Sequence, residues 1–159
     1  MKARSHFRPS IREAASGHSA QVTEISLDNR NRVHIEKITF ALDCGITVNP
    51  DLVRAQVEGG LIYALGAAAW GEVVLGDGGQ IITQNFDSYP VMRMQSAPQI
   101  EVLLIESGEP PTGVGEVSVP TAAPALTNAI AAFTGTGSAG CPSPRPSGST
   151  EKGHLACPR

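Results

Sequence analysis

No apolar run in this chain is long enough to cross a bilayer. The best candidate, Leu61 to Ala69, is short, rich in Ala and Gly, and ends on Trp70, Gly71 and Glu72. The basic residues before Arg12 are followed by no apolar stretch, so the pattern of a secretory signal is missing. Cationic clusters are missing too. Twelve Lys and Arg stand against fifteen Asp and Glu, for a net charge of -3, which argues against a nucleic-acid surface. Cysteine is scarce: Cys44, Cys141 and Cys157 make an odd set without ligand-like spacing, which supports neither a disulfide framework nor a zinc site. These absences leave a soluble protein with no membrane span and no nucleic acid as the expectation. At 159 residues, 41% hydrophobic and 17% charged, it has enough apolar material for one domain with a core.

What is present falls into strands and two helices. Residues 1–19 hold few core-forming side chains and read as an irregular lead-in. From Ala20 the chain alternates: Val22, Ile25 and Leu27 against polar neighbours, a polar turn at Asp28 to Asn31, then Val33, Ile35 and Ile38, continuing through Leu42 to Asp43-Cys44-Gly45. This predicts a β-hairpin. Asn49 then offers an N-cap, Pro50 suits the first helical position and Asp51 complements the helix dipole. Val53, Val57, Leu61 and Leu65 form the apolar stripe of that helix. Gly59 and Gly60 interrupt it at a cost of up to about 1 kcal/mol each relative to Ala. Close helix-to-sheet packing or a ligand against the backbone would each explain them. Gln56, one turn earlier, can donate and accept together, as a ligand contact or as a solvated side chain.

Glu72 to Leu75, the glycine-rich Gly76 to Gly79 and Gln80 to Ile82 predict a second hairpin. Asn85 to Ala97 reads as irregular or a short helix. Ile100 to Ser107, almost wholly apolar, predicts a strand buried on both faces. A second helix is expected from near Pro120, with Leu126, Ile130 and Phe133 on its buried face, Asn128 as a polar break in that face and Gly135 at its end. Beyond Gly135, Ser, Gly, Pro, Cys and Thr dominate, so residues 136–159 are expected to be a disordered tail. Residues 20–135 are thus predicted to form one α+β domain: a mixed sheet with two hairpins and two main helices.

Between the last strand and the last helix lies Gly113-Val114-Gly115-Glu116. Glycines on alternate positions let a ligand approach the backbone, and a carboxylate follows at once near a helix N-terminus. Such strings also occur in ordinary turns, so by itself this one leaves a plain loop carboxylate open.

Several motifs in register resolve more. Asp43-Cys44-Gly45, Val48-Asn49-Pro50, Gln56-Val57-Glu58-Gly59-Gly60, Glu109-Pro110-Pro111, Gly113-Val114-Gly115-Glu116, Ala123-Pro124-Ala125-Leu126 and Asn128-Ala129-Ile130 follow one another in the chain. In this order and spacing they resemble the C-terminal part of the molybdenum-binding subunit of the xanthine oxidase family, in particular its isoquinoline 1-oxidoreductase and bacterial aldehyde dehydrogenase types. The resemblance runs from about Ala20 to Gly135. It implies a fragment of the second molybdopterin-binding domain of a molybdenum hydroxylase, an oxidoreductase that adds water-derived oxygen to an electron-poor carbon of an N-heteroaromatic or aldehyde substrate. It further implies that Glu116 matches the catalytic general base and that Gln56, Val114 and Gly115 match cofactor-binding positions. No protein side chain is implied as a metal ligand. The implied partners are a preceding molybdenum-binding domain, a small iron–sulfur subunit and a small-molecule substrate. This chain has no Cys set able to ligate such clusters.

Three departures stand out. The family's subunit is several times longer, so the fragment is expected to be inactive alone. Val117-Ser118 follows Glu116 where the pattern carries a proline. After Gly135 the usual ending is replaced, as a truncated or frame-shifted gene would produce. Two other classes stay open: a cofactor-free interaction or folding module, and a small anion- or nucleotide-binding domain built on helix N-termini. The second lacks a phosphate-loop lysine motif.

Overall fold

The computed structural model of the chain describes residues 2–4, 17–29, 32–134 and 155–156. Its sheet is built on a long antiparallel hairpin of β2, His18–Leu27, and β3, Arg32–Asp43. Pairing runs from His18 opposite Asp43 to Leu27 opposite Val33, with one register shift between Glu24 and Ile25. Asp28 closes the turn, accepting from the backbone N–H and the Nε of Arg32 at 2.9 and 2.6 Å. A short β1, Lys2–Arg4, pairs antiparallel with β2, and β5, Leu155–Ala156, pairs with the start of β3. On the other side of β3 lies β4, Gln99–Ile105, parallel to it from Lys37 opposite Gln99 to Asp43 opposite Ile105. A parallel neighbour requires a long crossover, which residues 44–98 supply with helix α1, Pro50–Ala69. Helix α2, Val119–Thr134, follows β4.

Both helices cover one face of the sheet, α2 over β2 and α1 over β4. Period-two alternation sends Ile38, Phe40 and Leu42 of β3 to that face, in register with Ile100, Val102 and Leu104 of β4. Val53, Val57, Leu61 and Leu65 of α1 and Leu126 and Ile130 of α2 close over them. Each large side chain fully buried here contributes about 1.5–3 kcal/mol. Two polar residues of β2 share the core face, and both are bonded. Gln21 donates from Nε2 to Thr23 Oγ1 at 3.0 Å and accepts at Oε1 from the Thr121 hydroxyl of α2 at 2.8 Å.

The hairpin and the α1 start match the sequence reading. Asn49 caps α1, its side chain accepting from the Leu52 N–H at 3.0 Å. Four expectations are corrected. The lead-in is not irregular where it is described: β1 lies within it and β2 starts at His18, because backbone pairing opposite Asp43 and Leu42 needs no apolar side chain. The second hairpin shrinks to a single antiparallel bridge, Leu75 to Ile81, around a 3₁₀ turn at Asp77–Gly79. Val73, Leu75, Ile81 and Ile82 are all exposed, so no packed face extends its pairing. The β4 strand is covered on one face only: Ile100, Val102 and Leu104 are half-buried under the helices, while Leu103 and Ile105 on the opposite face are 48% and 50% exposed. Asn128 is exposed on α2 and breaks no buried surface. Asn85 to Ala97 is irregular apart from a 3₁₀ turn at Met94–Ser96. The end of α2 at Gly135 and the tail, apart from β5, lie outside the described residues.

Candidate functional site

The loop from β4 to α2 is held by the end of β3. Gly45 adopts φ +72°, and a Cβ there would stand 2.3 Å from the Pro110 carbonyl oxygen, so this turn accepts only glycine. The chain from Glu109 to Thr112 runs against it: the Ile46 N–H donates to Glu109 O at 2.9 Å, and the Thr112 N–H donates to Cys44 O at 3.0 Å. The Thr112 hydroxyl reaches the same Cys44 carbonyl at 3.3 Å. Asp43 completes the clamp, accepting at Oδ1 from the Ser107 hydroxyl at 2.7 Å and from the Gly45 N–H at 3.0 Å. The Ser107 hydroxyl and then the Gly45 N–H hold the Asp43 carboxyl below the usual aspartate range, against the opposing effect of desolvation and with a lesser contribution from His18. The motif Asp43-Cys44-Gly45 therefore aims the two prolines and delivers Gly113 at a fixed place.

Past Thr112 the loop turns outward. Val114 is half-buried against the core, while Gly113, Gly115 and Glu116 are exposed. Neither glycine has a positive φ, and a Cβ at either would meet nothing within 4 Å. Within the described chain, then, the missing side chains leave open backbone and relieve no internal contact. The Glu116 carbonyl accepts from the Val119 N–H at 3.0 Å, which places Glu116 at the N-terminus of α2. Ser118 is the next anchor. It is 1% exposed, and its hydroxyl donates to the Val57 carbonyl of α1 at 3.1 Å. A Cβ on Gly60 would come within 2.3 Å of that hydroxyl oxygen.

The candidate residues lie on two segments that the Ser118 hydroxyl joins. Gln56 is exposed beside Val57 on α1, and Glu116 is exposed two residues before Ser118. The two glycines of α1 divide the explanations given for them. Gly60 serves close packing, against the α2 entrance and not the sheet, whereas Gly59 is exposed with nothing within 4 Å of its Cβ position. Gly59, Gly113 and Gly115 each leave open backbone, Gln56 offers an exposed amide and Glu116 an exposed carboxylate, groups whose chemistry fits a pterin-type cofactor. Among the described residues no group of three or more His, Cys, Asp or Glu could hold a metal ion, and no helix is long and apolar enough to cross a membrane. An apolar groove of about 110 Å³, between Tyr63 and Gly66 of α1 and Tyr89 and Met92, is lined by none of the candidate residues. Sequence reasoning missed Ser118 and the Asp43 clamp. Ser118 had one visible signal, its place in Val117-Ser118, where the family pattern has a proline.

Known proteins place the chain in a family. The sequence model of the family described as molybdopterin cofactor-binding domain matches residues 2–98. The beta subunit of isoquinoline 1-oxidoreductase from Brevundimonas diminuta is 35% identical over 122 residues, 76% of this chain and 16% of that protein. The large subunit of nicotine 6-hydroxylase from Paenarthrobacter nicotinovorans is 29% identical over 103 residues, 62% of this chain and 13% of that protein. Among solved structures, quinoline 2-oxidoreductase of Pseudomonas putida 86 superimposes with a TM-score of 0.67 at 24% identity, covering 72% of this chain and 15% of that one, a likeness of fold. The chain thus spans about a sixth or less of the length of these proteins. On the family match and the motifs in register, the chain belongs to the molybdopterin cofactor-binding domain family, within the xanthine oxidase family of molybdenum enzymes.

Proposed function

We propose that this chain supplies part of the cofactor and active site of a molybdenum hydroxylase acting on an N-heteroaromatic or aldehyde substrate. The observation that carries this reading is the exposed Gly113-Val114-Gly115-Glu116 loop, its backbone open at both glycines and its far end fastened to the Gln56 turn of α1 through Ser118. When bound, molybdopterin supplies the redox centre that accepts two electrons from the substrate. The chain's own residues bind, orient and move a proton. The Gln56 amide donates from Nε2 and accepts at Oε1, which suits the polar edge of a pterin. Val114 and Gly115 bring backbone to the cofactor with no side chain intervening at the glycine. The Glu116 carboxylate is the general base, taking up on an Oε atom the proton released as water-derived oxygen is added to the substrate carbon. The remaining half of the pocket comes from a preceding molybdenum-binding domain, and electrons leave through a small iron–sulfur subunit. By itself the chain is inactive in this reading.

The test is coexpression of the chain with those two partners, followed by metal analysis and turnover on N-heteroaromatic and aldehyde substrates. Molybdenum in the purified assembly supports the reading, and a stable assembly without it refutes the reading. A second reading, a cofactor-free interaction module, draws on the exposed apolar side chains of Val48, at 85%, and Leu52, at 65%. It predicts a stable complex with a protein partner that carries no molybdenum.

A further inference from the structure

We infer that Ser118 is a positioning residue: its hydroxyl, seated over Gly60, joins the Glu116 loop to the Gln56 turn of α1 as one preorganised unit before any cofactor arrives. Val57 O is already the intrahelical acceptor for the N–H four residues on, so α1 does not need the Ser118 bond to satisfy its backbone. The bond instead fixes the chain two residues beyond Glu116 against a particular turn of α1. Gly60 makes room for it. At the neighbouring Gly59 a Cβ would meet nothing, whereas at Gly60 it would stand 2.3 Å from Ser118 Oγ but 3.7 Å from Ser118 Cβ. The conflict is thus with the hydroxyl alone. Thr121 reinforces the joint, its one hydroxyl proton shared between Ser118 O at 3.0 Å and Gln21 Oε1 at 2.8 Å, which ties the same residue to β2. Ser118 therefore sits where α1, α2 and the sheet meet, two residues after Glu116 in the chain.

The inference rests on the reading that Gln56 and Glu116 serve one site, but its tests use no cofactor. The first is a sign reversal. Gly to Ala inside a helix is intrinsically stabilising, so Gly59→Ala should raise Tm by about 2–4 °C. Gly60→Ala should instead lower Tm by about 2–6 °C, because the new methyl meets the hydroxyl. In a Ser118→Ala background Gly60→Ala should raise Tm. If Gly60→Ala alone does not fold, recovery of folding in the double variant supports the joint equally. The second test reads position and not stability. Backbone order parameters at Gly115, Glu116 and Val117 should be about 0.85 in the wild-type chain and fall below about 0.6 in Ser118→Ala, with α1 unchanged. The same sign for Gly60→Ala in both backgrounds, or a loop equally rigid without the hydroxyl, overturns the inference. A chain that passes both tests while its coexpressed assembly lacks molybdenum keeps the joint and loses the cofactor assignment.

Discussion

Glu116 and Asp43 are both carboxylates, yet they serve different ends. Glu116 is exposed, and its side chain is given over to chemistry in the proposed site. In the reassembled enzyme Glu116→Gln should keep cofactor content and folding, since volume and hydrogen-bonding capacity are close, while turnover falls by about two orders of magnitude or more. Metal analysis beside steady-state rates checks both halves: a variant that keeps its rate sinks the assignment to a base, and one that loses molybdenum makes Glu116 structural. Asp43 has a structural task. Hydrogen bonds from Ser107 and Gly45 lower its folded pKa, so its ionised form is stabilised on folding. That stability is present above the unfolded aspartate value of about 3.9 and is lost as pH falls through the lower folded value. Acid titration of wild type and Asp43→Ala should therefore show curves that are separated near neutrality and converge below about pH 4. Separation maintained at pH 2 would mean the clamp does not depend on charge. Motif matching marked Glu116, Gln56, Val114 and Gly115 because those positions carry a recurring pattern. It did not reveal Ser118, whose bond to Val57 spans 61 positions in the chain.

Helix α1 shows how local rules make an element legible. Asn49, Pro50 and Asp51 define its start through interactions within four residues, and the structure bonds Asn49 to Leu52 as those rules require. Asn49→Ala should cost about 1 kcal/mol. The midpoint of urea unfolding should fall with no change in slope, and an unmoved midpoint would show that water caps the helix equally well. The apolar run from Ile100 to Ser107 marks β4 to within two residues of its ends but not its exposure, because a run of Val, Leu and Ile has the same composition whether one face or two are covered. What decides is the side on which α1 and α2 lie, which the run itself does not encode. The second hairpin is reduced to one bridge for a related reason. Glycine supplied the turn, but strands of exposed Val and Ile gain nothing from pairing further when no layer packs on them.

Taken as one body, the chain leaves much apolar surface in water: Leu103 and Ile105 on the bare face of the sheet, Val48 and Leu52 at the head of α1. Alone in solution it should bind a hydrophobic dye at neutral pH, with fluorescence that drops when the proposed molybdenum-binding partner domain is coexpressed. A chain that binds no dye would mean these side chains are covered by other residues of the chain itself. The parallel pairing of β3 with β4 has a temporal consequence. The β2–β3 hairpin closes over a short turn, but β4 finds its place only after the whole crossover of residues 44–98 has been made and folded back. Loop closure over that span precedes any gain from the contacts it allows. On the ribosome, then, the hairpin and α1 can be in place while Gly113 to Glu116 is still unmade, and the carboxylate assigned to the chemistry is among the last groups to reach its position.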